Sequence, residues 1–162
     1  MMNKMNDIRK WGRIMLLFAP LVFTTAALAQ NTQCQNPTPF CTANPMNFPA
    51  QVNAGQAQQG PSYGCLGGQP NPAWFYMQIA TPGTMSINIS STFDVDFIAW
   101  GPFPNLTNVC NNLTAANQVP VGGGNNGCSF SGSPTETLIL SNAQVGEFYV
   151  VLVTNWSNQE QN

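Results

Sequence analysis

The chain contains no histidine, and its 162 residues hold only four lysines and arginines and six aspartates and glutamates. All the basic residues, Lys4, Arg9, Lys10 and Arg13, precede an apolar run over 14–23 and then Ala27-Leu28-Ala29. A basic start, a short apolar core and small residues before Gln30 predict a secretory signal peptide over residues 1–29. That core falls short of the ~20 residues a bilayer-spanning helix requires. No later stretch is long and apolar enough to span, so the mature chain is expected to have no transmembrane segment. What remains keeps Asp94, Asp96, Glu136, Glu147 and Glu160, with no cation except the new α-amino group. Phosphates would find nothing to neutralise them, which excludes nucleic acid as a partner. Chemistry that needs a histidine or lysine base, or an arginine clamp, is excluded on the same ground.

Helix signals are also scarce. Prolines 37, 39, 45 and 49 forbid a long helix or a central strand in the Asn/Gln/Pro-rich segment 30–62, which reads as a leader with one short edge strand near Phe40 to Phe48. Within it, 51–62 reads as a loop. Strand signals begin after Gly67-Gly68. Residues 73–79 are aromatic and suited to burial on both faces, and Thr81-Pro82-Gly83 is a turn. Residues 84–90 alternate, with Met85, Ile87 and Ile89 on one side and Ser86, Asn88 and Ser90 on the other.

The most apolar run, Phe93 to Phe103, places Phe93, Val95, Phe97 and Ala99 on one face and Asp94, Asp96, Ile98 and Trp100 on the other. It predicts a central buried strand with a solvated acidic rim, antiparallel to the strand just before it. A long irregular passage follows to Phe130, and its Gly122-Gly123-Gly124 run reads as a flexible loop, since no lysine or helix follows to make a phosphate cradle. Residues 136–140 and 148–154 are two further strands. Short strands, Pro/Gly/Asn connections and no convincing helix predict an all-β protein, an antiparallel β-sandwich of jelly-roll type occupying residues 63–162. About 130 mature residues suit one core. Nothing after Thr154 reads as a closing strand, so the sandwich is expected to lack its last strand and to expose Phe148 to Thr154 at a sheet edge.

The five cysteines lack close Cys-x-x-Cys spacing, which in an exported chain favours disulfides over zinc. Cys110 and Cys128 enclose the Gly/Asn-rich passage and are expected to pair, as are Cys41 and Cys65, leaving Cys34 over.

The ordered set Asp94-Val95-Asp96-Phe97, Cys110, Cys128, Pro134-Thr135-Glu136-Thr137 and Val145-Gly146-Glu147-Phe148-Tyr149-Val150 resembles the pre-peptidase C-terminal domain of secreted bacterial proteins. It is more similar still to a domain of large exported Bacteroidota surface proteins, many of them type IX secretion cargo, where Asn71 to Tyr76 and Val153 to Asn158 also have counterparts. The resemblance covers most of the chain from Cys34 onward. It implies a jelly-roll-like, non-catalytic module carried beside other domains of a larger exported protein, at the cell surface or secreted.

Three site readings follow. Asp94 and Asp96, roughly 6–7 Å apart at Cβ on one strand face, suit a hard cation such as calcium, because no basic side chain relieves their repulsion. Glu136 joins them as third carboxylate on the strength of the resemblance. No other cofactor is expected. Glycoside hydrolysis also uses carboxylate pairs, but two acids on one strand do not flank a substrate bond. Trp74, Tyr76, Trp100 and Trp156 make either a sugar-stacking surface or core and rim aromatics of the sandwich. The expected function is a non-catalytic structural or adhesive module. The rivals are a carbohydrate- or protein-binding domain with an aromatic ligand surface and, third, an accessory domain of a secreted hydrolase. An exposed aromatic row would favour the binder, and burial of the aromatics the structural module.

Overall fold

The computed structural model describes residues 32–40, 45–47 and 50–161. The expected signal peptide and Cys41 lie outside the described residues. The strands are β1 (Thr38–Pro39), β2 (Pro72–Gln78), β3 (Gly83–Ser90), β4 (Val95–Phe103), β5 (Val121–Gly122), β6 (Asn125–Asn126), β7 (Cys128–Ser129), β8 (Thr135–Ala143) and β9 (Phe148–Asn155). They form two sheets, ordered β1-β2-β9-β4-β7 and β3-β8-β6-β5. All pairings are antiparallel except β1 with β2. The protein is an all-β sandwich. Among the described residues the only helical pieces are two short 3-10 turns, Val109–Asn112 and Ala115–Asn117, and no helix is long and apolar enough to cross a membrane.

Alternation along the strands assigns the faces. Ala73, Phe75, Phe97, Ala99, Val151 and Val153 of the larger sheet meet Ile87, Leu138 and Leu140 of the smaller one in the core between the layers. The opposite face of the larger sheet is equally apolar. Trp74, Ile98, Trp100, Val150 and Leu152 form a second core there with Cys34, Ala57, Leu66, Val109 and Leu113. These latter residues come from the irregular segments, which therefore cap the sheet. A sheet apolar on both faces must be covered on both, and here loops supply the second cover.

Two strand placements differ from the sequence expectation. Phe148–Asn155 is the middle strand of the larger sheet, paired with β2 on one side and β4 on the other. Its apolar residues on both faces demand that position, and no free edge arises there. The second difference concerns β3, which pairs with β8 in the smaller sheet and not with β4. The short link after Ser90 carries the chain from one layer to the other, because Ile87 and Phe97 both have to face the same interlayer core. β1 lies just ahead of the Phe40 to Phe48 span where the leader's edge strand is expected, and residues 41–44 and 48 of that span lie outside the described residues. The glycine run is no loose loop. It turns the β5–β6 hairpin, with Gly123 at φ 62° and Gly124 at φ 88°, a left-handed conformation that glycine adopts without steric cost.

Both expected disulfides are corrected. Cys110 is bonded to Cys34 and Cys128 to Cys65. The expected Cys110–Cys128 pair rested on nearness in sequence. In the fold, Cys128 lies in β7 opposite Ile98, beside the cap, while Cys110 sits in a 3-10 turn of the cap over the segment holding Cys34. Each crosslink therefore ties the N-terminal part of the cap to the long passage after β4. The expected Cys41–Cys65 pair fails from the Cys65 side, and Cys34 is not left over.

Candidate functional site

Asp96 is opposite Thr154 in the β4–β9 pairing, and Pro72 is opposite Thr154 on the other side. The next row on the same face is Trp74, Leu152 and Ile98. Asp96 thus closes one end of the capped face, and by alternation Asp94 projects on the same side. Asp96 is only 5% exposed, so the solvated rim expected from sequence is a buried one. Thr154 is fully buried. Asp94 Oδ1, Asp96 Oδ1, Thr154 Oγ1 and Trp74 Nε1 are buried and have no hydrogen-bond partner among the described residues. Three of these four are oxygens, and no cationic side chain follows Arg13 to meet them.

Burial, then the neighbouring Asp94 and Glu136 charges, push the Asp96 carboxyl up from 3.8 to about 7. Asp94 is raised by desolvation and by Glu136. The three acids expected to act together therefore do feel one another. They do not converge on one point, however. Glu136 is the second residue of β8 in the other sheet, opposite Ile89, and its Oε1 accepts the Ser131 hydroxyl. Among the described residues no group of three or more Asp, Glu, His or Cys side chains is close enough to hold a metal.

The four aromatics separate. Trp74 and Trp100 are fully buried and stacked, with ring centroids 5.8 Å apart. Tyr63 packs against both, at 6.4 and 6.1 Å, and its hydroxyl donates to Gln58 O. Burial raises the Tyr63 phenol to about 12, so it stays a neutral donor. Trp100 Nε1 donates to Ser62 O at 3.2 Å. Tyr76 is half-buried, opposite Val150 of β9. Trp156 is 47% exposed and lies against Gly68, away from the pair. Among the described residues, no aromatic row faces solvent.

Two features escaped the sequence reading. The first is a knot of amides. Asn155 Nδ2 donates to Gln51 O and Gln159 O, at 2.9 and 2.8 Å, and Gln161 Nε2 donates to Asn155 Oδ1 at 2.6 Å. Asn71 Nδ2 donates to Asn155 O at 3.0 Å, and Phe93 N to Gln161 Oε1 at 2.8 Å. The tail after β9 is thereby bound to the 51–53 segment and the start of β4. The second is a groove of about 620 Å³ between the layers, lined by Phe75, Ile87, Leu138 and Val153 of the strands and by Phe40 and Met46 of the leader, among others. Compared with known proteins, the chain matches no family model, no curated protein and no solved structure.

Proposed function

We propose that this chain is a non-catalytic module of an exported protein, with a structural or adhesive role inside a larger assembly. The observation that carries this reading is the burial of Trp74 and Trp100 as a stacked pair in the capped core, where they hold the fold and cannot stack on a sugar. Two disulfides suit an oxidising, extracellular setting, and the N-terminal basic and apolar pattern supplies a route there. The resemblance to the pre-peptidase C-terminal domain supports the same role.

Calcium is the ion proposed for the acidic end of the capped face. Asp94, Asp96 and Thr154 offer hard oxygen donors without a hydrogen-bond partner among the described residues. Glu136 would contribute its charge from the opposite layer and not a bond to the ion. In an extracellular module the affinity expected is only ~10⁻⁴–10⁻³ M. The ion would stabilise the fold and perform no reaction.

Affinity electrophoresis through gels containing soluble polysaccharides separates this reading from a sugar-binding one. The mature chain and its Trp156→Ala variant are expected to migrate equally with and without polysaccharide. Retardation of the wild type that Trp156→Ala abolishes would replace the structural reading with a carbohydrate-binding one.

A further inference from the structure

We infer that Asn126-Gly127 is a self-modification site, where the unfolded chain converts to isoaspartate through a cyclic imide and thereby loses its ability to fold. The folded sandwich holds the two reacting groups apart. The inference goes beyond the module reading and does not depend on it.

Asn-Gly occurs once in the chain. In this pair a side-chain amide and the next backbone nitrogen meet with least hindrance, because glycine has no Cβ. Gly127 N bonds to Asn126 Cγ, the Cγ–Nδ2 bond breaks, and the proton of Gly127 N ends on the departing ammonia. Water then opens the imide. Opening at Cγ leaves aspartate. Opening at the main-chain carbonyl carbon leaves isoaspartate, whose backbone runs on through Cβ and Cγ. Water is the only co-reactant.

Native contacts oppose the first step. Asn126 lies opposite Val121 and Ile139, and its Nδ2 donates to Thr137 O at 2.5 Å. Gly127 is buried, donates through N to Pro120 O at 3.2 Å, and accepts Ala99 N at 2.8 Å. The amide and the nitrogen are thus held by different neighbours, and ring closure requires the chain to leave both. The glycine cannot be exchanged for a hindered residue. A Cβ at 127 would lie 2.1 Å from Val119 O.

The same packing rejects the product. Asn-Gly is a favoured hairpin turn, but the β5–β6 turn is made by Gly123 and Gly124. Asn126-Gly127 instead marks where the chain passes from the smaller sheet to the larger. Cys128 follows at once, paired with Ile98 and bonded to Cys65. Isoaspartate adds a backbone carbon to this crossing while Gly127 is pinned from two sides. Either product also sets a carboxylate against Thr137 O in place of a donor, and no cationic side chain follows Arg13 to meet it. Chains that fold and close Cys65–Cys128 are therefore protected, and chains that stay unfolded after export are marked irreversibly.

The test keeps the mature, oxidised chain in buffer and a reduced sample in guanidinium chloride, at one pH and temperature. Pepsin digestion and mass spectrometry read the deamidation mass gain and distinguish isoaspartate from aspartate by fragmentation. Asn126 is expected to convert at least about tenfold more slowly in the folded chain, where the reaction waits for the segment to open. After the denatured sample is returned to refolding conditions, isoaspartate should be enriched in the fraction that fails to refold. Asn126→Gln keeps an amide but closes a ring far more slowly, so it should refold as well after long denaturation as before. Equal conversion in folded and unfolded chains would overturn the inference, as would no conversion at Asn126 in denaturant. So would isoaspartate shared evenly between refolded and unrecovered fractions, a comparison that needs no variant. A loss of refolding by Asn126→Gln equal to that of the wild type would place the damage elsewhere and overturn it too.

Discussion

Removing the Cys34–Cys110 crosslink by a Cys34→Ser, Cys110→Ser double substitution is expected to destabilise the mature chain by roughly 4 kcal/mol in the loop-entropy model. The two cysteines are 76 residues apart in sequence, and Cys65 and Cys128 are 63 apart, so each bond restricts a long stretch of the unfolded chain. The native consequence is local. The cap over Trp74 and Trp100 has little regular secondary structure. Apolar contacts, hydrogen bonds such as Trp100 Nε1 to Ser62 O and the Cys65–Cys128 bond hold it to the sheet, while Cys34–Cys110 ties two of its segments together. For a domain of this size the loss corresponds to a melting temperature lower by roughly 10 °C or more. Reducing both bonds should expose the capped tryptophans before the interlayer core melts. Peptide mapping under non-reducing conditions should recover Cys34 linked to Cys110 and Cys65 linked to Cys128. A Cys110–Cys128 peptide, or a double variant that melts with the wild type, would contradict the cap as described.

The second large effect is a dependence of stability on pH that runs opposite to that of most acidic proteins. Asp96 is raised from 3.8 to about 7 by burial and by Asp94 and Glu136. The folded state therefore holds a proton that the unfolded state has already lost, and raising the pH through this window favours unfolding. Stability is full below about pH 4, falls up to about pH 7, and is flat above. Between pH 4.5 and 7.5 the loss is of order 3 kcal/mol, from ~1.4 kcal/mol per pH unit. Asp94, shifted in the same direction, adds to it. Asp96→Asn should remove most of the slope and be more stable than the wild type at pH 7.5. Calcium supplies the counter-test, because a cation binds the ionised pair. Millimolar Ca²⁺ should raise the melting temperature of the wild type at pH 7.5, do little at pH 4.5, and leave Asp96→Asn unmoved. A flat pH profile would mean that Asp96 is solvated. An equal calcium response in wild type and variant would remove the ion from this site.

The sheet strands were legible because their signal is strong and local. Alternation at Met85, Ile87 and Ile89, and the two-sided apolar character of 73–79, 93–103 and 148–154, required strands and required that some be central. Which strand neighbours which was not legible. A four-residue link reads equally well as a hairpin or as a crossing between layers, and only the shared core facing Ile87 and Phe97 decides for the crossing. The cap was missed for a different reason. Leu66, Val109 and Leu113 are single apolar residues scattered among Gly, Asn and Pro, with no period to mark them. The outward face of Ile98 and Trp100 was the available clue, since it had to be covered by something. The disulfides were then misassigned, because their partners are set by where the cap folds and not by spacing. The same holds for Asn155 and Gln161, whose amides look like solvated loop residues until the backbone around them is seen to need partners. At the acidic end, the sequence located Asp94 and Asp96 on one face but could not tell that a buried threonine hydroxyl stands opposite Asp96.

The central claim is that Trp74 and Trp100 hold a buried second core and do not form a surface for a ligand. Acrylamide quenching of tryptophan fluorescence tests it most directly, in the mature chain carrying Trp156→Phe so that only these two indoles emit. Emission is expected to be blue-shifted relative to the wild type, with a quenching constant several-fold smaller that rises towards the free-indole value once both disulfides are reduced. Ready quenching in the oxidised protein would place the pair at the surface and contradict the account.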